Sequence, residues 1–390
     1  MFMWAVIFLL ILVLSAIYTK DLFVVKRNDD FLAVRKKIFS HQKIALICVL
    51  ALLCLISGLR FETGGSDYFV YEGIYQRLPK INEFIANFKN LEQYDVFGHE
   101  RLWLFIQSFF KSIGFSYNAF LFVHSVFFFF CLYFFLKRYS LNPVFCVLVF
   151  LSLMYFYNTM ISLRQSTVIA IFLISLPLLE KKHYLRYFLV VAVCFFMHYS
   201  SLYLIILPFI CRFVPKTKNT LIVLLVISIP IIIITAQVNI VGWFVDILEP
   251  VVSSLFGATF AGKFSALKDV SEPISIFHVL QYFLVLFVFI LFFDDVKKYG
   301  KFFEITFVMI VCLFPILVIF RNFGIFTRLK DFFYLFYGTL FSILFLIKEQ
   351  RYKWFMFIAV SLVCGFTFFR FIILFDEGHF MSYKSILLKR

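Results

Sequence analysis

The sequence predicts an all-α integral membrane protein of about twelve transmembrane helices with two polar loops on one face, and three observations carry that prediction. Of 390 residues, 63% are hydrophobic and 15% charged, against about 25% charged in soluble domains. At a mean hydropathy of +0.97, too little polar surface remains to cover a water-soluble globule. Apolar runs approaching the roughly 17–25 residues that an α-helix needs to cross a bilayer recur from end to end. Finally, the Lys and Arg residues behind the +15 net charge gather in short connections between those runs. Lys36–Lys37, Lys137–Arg138, Lys181–Lys182 and Lys297–Lys298 are examples. This is the positive-inside pattern of membrane topology, and it excludes nucleic acid as the partner.

The elements follow in order. Run 2–18 lacks a basic start and a small-residue cleavage site, so it reads as a retained helix and not a signal peptide. Seven basic residues from Lys20 to Lys43 come next, which places that loop in the cytoplasm and the N-terminus outside. Run 44–59 returns outward into a polar stretch, 60–101. The short run 102–113 reads as a re-entrant or interfacial helix, because a full crossing there would leave Lys137–Arg138 outside. Spans are then expected at 117–136, 144–157, 166–179, 186–197, 201–213 and 221–236. A second outer loop, 237–275, carries Trp243, Asp246, Glu249, Lys263, Lys268, Asp269 and Glu272. Spans at 276–293, 302–320, 329–347 and 354–374 complete one polytopic domain over residues 1–390, with the tail outside. All eight Cys lie in apolar runs without metal-ligand spacing and read as packing residues.

Both polar loops fall on the outer face, so chemistry is expected at the outer membrane–water boundary. Charges at span ends are costly and mark candidate sites. After Gly58 and Arg60, residues Asp67, Tyr71 and Tyr75 recur at i, i+4 and i+8, one face of a helix. A carboxylate beside aromatic rings suits a sugar that stacks while a base accepts its hydroxyl proton; a headgroup-level amphipathic helix is the alternative. In Gly98-His99-Glu100-Arg101, Glu100 is an acid–base candidate or simply a charge at a helix start. Arg164-Gln165 opens a span, where an Arg either grips a diphosphate bidentately or snorkels to the interface. His198, in Met197-His198-Tyr199-Ser200-Ser201, is a proton-transfer candidate or a structural His. Arg321 and Arg328, followed by Tyr334, add cations at outer span ends, and Tyr383-Lys384-Ser385 stands out in the tail. The sequence has no P-loop, dinucleotide fingerprint or H-E-x-x-H motif. A donor already held in the membrane therefore fits better than a nucleotide-activated one.

Arg60, Asp67-Tyr68 and Tyr71, Glu100, Arg164-Gln165, His198 with Ser201, Arg328, Tyr334 and Tyr383 occur in an order that resembles the EpsG-like, Wzy-type polysaccharide polymerases, over roughly residues 55–385. Ser382 precedes Tyr383 where that family often has Pro. The resemblance implies an O-antigen or capsule polymerase of the bacterial inner membrane, related to GT-C-type glycosyltransferases and needing no metal or other cofactor. Its substrates would be undecaprenyl-pyrophosphate-linked oligosaccharides in the membrane lipid. A chain-length regulator and a flippase are the partners it implies. Asp67, Glu100 and His198 are then the candidates for the catalytic base. Arg60, Tyr71, Arg164, Gln165, Arg328 and Tyr334 are the candidates for substrate binding.

Two other functions compete. An O-antigen ligase would share the topology and the leaving group but usually has one dominant outer loop. A lipid-linked oligosaccharide flippase would favour two repeated halves and charges at midplane depth; no internal repeat is visible here.

Overall fold

The computed structural model describes residues 1–22, 31–88, 90–91, 94, 100–238, 240–256, 274–322, 324–345 and 350–388. Among them the chain is all-helical, apart from one isolated antiparallel bridge between Arg60 and Ser385. Helices α1 to α9 are Phe2–Leu22, Phe31–Gly58, Ser66–Arg77, Ile81–Ala86, Arg101–Ser112, Tyr117–Tyr139, Pro143–Leu153, Leu163–Glu180 and Tyr184–Phe195. Helices α10 to α17 are Ile206–Phe213, Lys218–Gln237, Ile240–Phe256, Ile276–Leu291, Phe293–Lys297, Lys301–Phe314, Leu335–Leu344 and Gln350–Leu374.

Among the described residues, seven helical stretches are long and apolar enough to cross a membrane: Phe2–Lys20, Arg35–Gly58, Tyr117–Tyr139, Leu163–Glu180, Lys218–Thr235, Lys301–Ile319 and Tyr352–Leu374. The chain is thus a multi-pass membrane protein. Other expected spans correspond to shorter apolar helices, Pro143–Leu153, Tyr184–Phe195, Tyr199–Phe213 and Ile276–Leu291. The run 329–347 divides between a 3₁₀ segment, Gly324–Phe332, and the ten-residue α16. The run at 102–113 is α5, whose 12 residues reach about 18 Å against the ~30 Å hydrocarbon core. Much of the second loop, 257–273 with Lys263, Lys268, Asp269 and Glu272, lies outside the described residues, as do Gly98 and His99.

The chain divides into two compact units, Met1–Ile205 with Phe341–Arg390, and Ile206–Leu340. In the first, α7 is the centre. Residues Pro143 to Ser152 are all buried, as expected for a helix that is apolar all round, and it packs on α1, α2 and α17. Its start is fixed by Pro143 in the first turn and by the Asn142 side chain, which accepts the Phe145 N–H at 3.2 Å. Helices α2 and α6 lie alongside one another, and α6 packs in turn on α8. Gly58 ends α2 where a Cβ would stand 3.0 Å from Phe122 Cδ2 and 3.1 Å from Phe122 Cα, so the absence of a side chain lets the two helices approach.

At one end of this unit the N-terminus, the loop after α2 and the C-terminal tail meet. Trp4 Nε1 donates to the Phe380 carbonyl at 2.6 Å. Phe61 N–H donates to the Lys384 carbonyl and Ile386 N–H to the Leu59 carbonyl, both at 2.9 Å. The Tyr383 hydroxyl donates to the Ile56 carbonyl at 2.8 Å. The basic residues of Lys137–Arg138 sit at the far end of α6, where Arg138 pairs with Glu180 at 2.8 Å.

The second unit is built from α10, α11, α13 and α15, with α11 packed on α13 and α10 on α15. A π-helical turn, Pro315–Ile319, continues α15, and the Ile274 N–H donates to the Arg321 carbonyl at 2.7 Å. Trp243, from the second polar loop, lies exposed on α12.

Candidate functional site

The candidate site is assembled at the tail-bearing end of the first unit, from α3, α5, α8 and the corner after α9. Glu100 is the N-cap of α5: its carbonyl accepts from the Trp103 and Leu104 N–H groups at 3.0 and 3.2 Å. Its side chain makes no cap bond and is free to turn towards its neighbours. One carboxylate oxygen, Oε2, accepts from Arg164 Nη1. The other, Oε1, lies 3.1 Å from His198 Nδ1 and 3.0 Å from the Tyr199 amide nitrogen, whose N–H it accepts. Arg164 also donates through Nε to the Tyr71 hydroxyl at 3.3 Å, its guanidinium lying 6.0 Å from the Tyr71 ring centre. The side chains of Glu100, His198 and Arg164 are 3%, 12% and 17% exposed, so the cluster is nearly dry, and His198 Nε2 itself is shielded from solvent.

Electrostatics sets the protonation pattern. Burial pushes the Glu100 carboxyl up, but the His198 hydrogen bond, the Arg164 charge and the Tyr199 N–H outweigh it and hold the group at about 2. Glu100 is therefore ionised at any physiological pH and acts only as an acceptor. It follows that His198 Nδ1 carries the hydrogen of that bond, which leaves Nε2 as the basic nitrogen of the neutral ring. An ionised carboxylate, an oriented imidazole and an Arg–Tyr pair can together take a proton from a hydroxyl and face a developing anion.

Local packing holds each member. Helix α3 buries Tyr68, Tyr71, Ile74 and Tyr75 in one cluster with Trp103, Leu104, Tyr117, Phe120 and Leu163. The Tyr75 hydroxyl donates to the Phe115 carbonyl at 2.8 Å. Lys111 Nζ closes the C-terminal end of α3 on the Tyr75 and Gln76 carbonyls at 3.2 and 2.7 Å, a cation at the negative end of a helix. The start of α8 is set by His124 of α6, whose Nε2 lies 3.1 Å from the Leu163 carbonyl and so carries a hydrogen there. The corner that presents His198 is joined to α5 through the Leu102 N–H, which donates to the Phe196 carbonyl at 3.2 Å.

Of the residues singled out in the sequence, Glu100, Arg164, His198 and Tyr71 come together. Asp67 is half-buried in the first turn of α3, and Tyr75 is committed to the aromatic core, away from any exposed stacking face. Gln165 is buried beside Arg164. Arg60 is fully buried, where its Nη1 donates to the Ser57 carbonyl and its Nη2 to the Met160 carbonyl at 3.3 Å. Among the described residues no carboxylate pairs with it, and tyrosines 68, 117, 155 and 383 lie in its electrostatic neighbourhood. Arg328 and Tyr334 belong to the second unit. There Tyr334 is fully buried, 5.7 Å from His278 and 5.1 Å from Tyr337 ring to ring, with Lys330 Nζ 5.3 Å from its ring centre.

Some polar groups here were not anticipated. Asp331 is buried at 1% exposure and takes Lys330 Nζ at 2.9 Å, and both lie inside an apolar run that reads as an ordinary span. The Tyr199 amide and His124 were invisible as site members because a backbone N–H and a mid-helix His carry no motif. The buried amides of Gln107 and Asn158 have no hydrogen-bond partner among the described residues, and buried polar groups are rarely left so. Among the described residues no group of three or more His, Cys, Asp or Glu side chains is placed to hold a metal ion.

Comparison with known proteins gives no match among curated proteins and none among solved structures. A family model, described as the EpsG family, matches residues 43–385, a stretch that contains every member of the Glu100 cluster. Covering most of the chain from α2 to the bridged tail, that match establishes that this protein belongs to the EpsG family.

Proposed function

We propose that the chain is a polysaccharide polymerase that transfers a growing glycan from undecaprenyl pyrophosphate to a lipid-linked oligosaccharide repeat at the outer face of the bacterial inner membrane. EpsG family members are Wzy-like polymerases. The observation that carries the assignment is the convergence of Glu100, Arg164, His198 and Tyr71 from four separate segments of the chain. On this reading the protein is an O-antigen or capsule polymerase with about twelve crossings and a GT-C-like arrangement, counting the shorter apolar helices as spans.

In the proposed reaction the acceptor hydroxyl oxygen attacks the anomeric carbon of the donor. The bond from that carbon to the pyrophosphate oxygen breaks, and its electron pair leaves with the pyrophosphate. The hydroxyl proton passes to His198 Nε2, and the ionised Glu100 stabilises the imidazolium that forms. Arg164, steered by Glu100 and Tyr71, faces the departing anion. Arg60, buried behind backbone carbonyls, braces this end of the unit. On this reading Asp67, in the first turn of α3, contacts the acceptor sugar.

The test is deletion of the gene in its host, followed by complementation and electrophoresis of surface glycans. A single repeat unit in place of a ladder, restored by wild type but not by His198→Ala, supports polymerisation. Loss of every repeat rejects it, with lipid-linked polymer accumulating outside if the chain is a ligase.

A further inference from the structure

At the end of the first unit opposite the Glu100 cluster, α2, α6 and α8 border a half-open cavity of about 570 Å³ whose lining separates by chemistry. Its cationic lining consists of Arg35 and Lys36 near the start of α2 and Lys137 and Arg138 in the last turn of α6. The two helices run antiparallel, so the opening of one and the close of the other bring four cations to one level. Arg35 Nη2 donates to the Lys137 carbonyl at 2.6 Å, which fastens the two helix ends together. Among the described residues Glu180 is the one carboxylate paired with these four. It takes Arg138 at 2.8 Å and the Tyr139 hydroxyl at 3.0 Å, which leaves three positive charges uncompensated by described residues. Apart from Tyr139, the remaining wall is hydrocarbon, including Phe134 and Ile174, which are 43% and 45% exposed on the faces of apolar spans.

A cationic mouth over an apolar wall, at the end of a helix bundle, is complementary to one kind of molecule. We propose that this cavity binds an anionic phospholipid of the surrounding leaflet, its phosphodiester held by Arg35, Lys36 and Lys137 and an acyl chain lying against Phe134 and Ile174. Basic pockets between transmembrane helices on the cytoplasmic side recognise anionic head groups by this combination of charge and apolar contact. The Lys137–Arg138 pair is also what the positive-inside pattern assigns to the cytoplasm. The site is independent of the proposed reaction: Arg164 and Glu180 stand at opposite ends of α8, about 24 Å apart along the helix. A bilayer lipid therefore fits it, and a polyprenyl pyrophosphate reacting at the Glu100 end does not.

The experiment uses the full chain in mild detergent, with lipid retention read by native mass spectrometry after exchange into defined phosphatidylglycerol or phosphatidylcholine. Phosphatidylglycerol should be retained at least tenfold more strongly than phosphatidylcholine, and the preference should fall with added salt. Lys36→Gln with Lys137→Gln removes two exposed charges whose side chains make no bond among the described residues, and should weaken retention about thirtyfold. Because removing loop charges can disturb insertion, Ile174→Trp supplies a second test. It leaves every charge in place but fills the apolar wall, and should also lose the lipid. Equal retention of the two lipids, or unchanged retention in either variant, overturns the proposal. Displacement of phosphatidylglycerol by stoichiometric undecaprenyl phosphate, lost in the same variants, overturns it in favour of an isoprenoid site.

Discussion

Replacing Glu100 by Gln tests the site most directly, because the substitution keeps the shape and removes the charge. A carboxyl held at about 2 instead of its ordinary 4.5 contributes on the order of 3 kcal/mol at neutral pH, at about 1.4 kcal/mol per tenfold change in affinity for the proton. The sign is fixed by the direction of the shift. A depressed carboxyl stabilises the folded state above its ordinary value, and that stability is lost as pH falls from about 4.5 through about 2. Thermal unfolding of the purified protein in detergent, followed from pH 7 down to pH 3, should therefore show a decline in wild type that is absent in Glu100→Gln. At pH 7 the variant should melt lower, since Arg164 is left nearly buried without its counter-charge. Polymerisation of lipid-linked repeats should fall by about 10²–10⁴, because His198 loses the carboxylate that orients it and stabilises its protonated form. A variant with a wild-type glycan ladder at equal protein level would refute the orienting role. A wild type whose melting temperature is flat from pH 5 to pH 3 would refute the electrostatic account.

Arg164→Lys should lower polymer formation by about 10², because one ammonium cannot serve both Glu100 and the Tyr71 hydroxyl as Nη1 and Nε do; in vitro chain extension is the measurement. Tyr71→Phe keeps the ring in the Trp103 cluster but removes the acceptor of Arg164 Nε, and should cost tenfold or less in rate and about 1–2 kcal/mol in stability. At Gly64, φ is +144° and a Cβ would stand 2.6 Å from the Met160 carbonyl oxygen. Gly64→Ala should therefore destabilise by about 1–3 kcal/mol, seen as a lower melting temperature. Tyr383→Phe removes the bond to the Ile56 carbonyl and should cost about 1 kcal/mol by the same measure.

The members of the site were legible one by one because a charge or a His at the end of an apolar run needs a reason. Glu100, Arg164 and His198 each met that test. Their pairing was not legible: the contacts join positions 64 and 98 apart, a closure created by α3 and α5 folding over α6. Tyr75 shows the opposite failure. Its spacing from Asp67 and Tyr71 fits one helix face, but the aromatic cluster claims that face for the core. Hydropathy also identified the long helices well and interrupted ones poorly. The apolar run at 144–157 is a helix that ends at Leu153 and resumes as a π-helical turn over Tyr157–Ile161, and no window average sees such a break. Asp331 was missed because one acidic residue inside an apolar run barely changes the average hydropathy.

The bridge between Arg60 and Ser385 has a consequence for the order in which the protein can become competent. The loop it braces leads straight into α3, which carries Tyr71, yet the tail's hydrogen bonds cross 321 to 327 positions of sequence. During synthesis, α2 and α3 enter the membrane long before their partner strand exists. Until α17 has inserted and delivered the tail to the same side, the bonds from the Phe61 N–H to Lys384 and from the Ile386 N–H to Leu59 cannot form. A half-made chain therefore waits with this end open, and assembly finishes by a late latch. Translation arrested before the tail should leave an inserted but unlatched intermediate, exposed to proteolysis in the loop over residues 59–65 and protected there once the last segment is released.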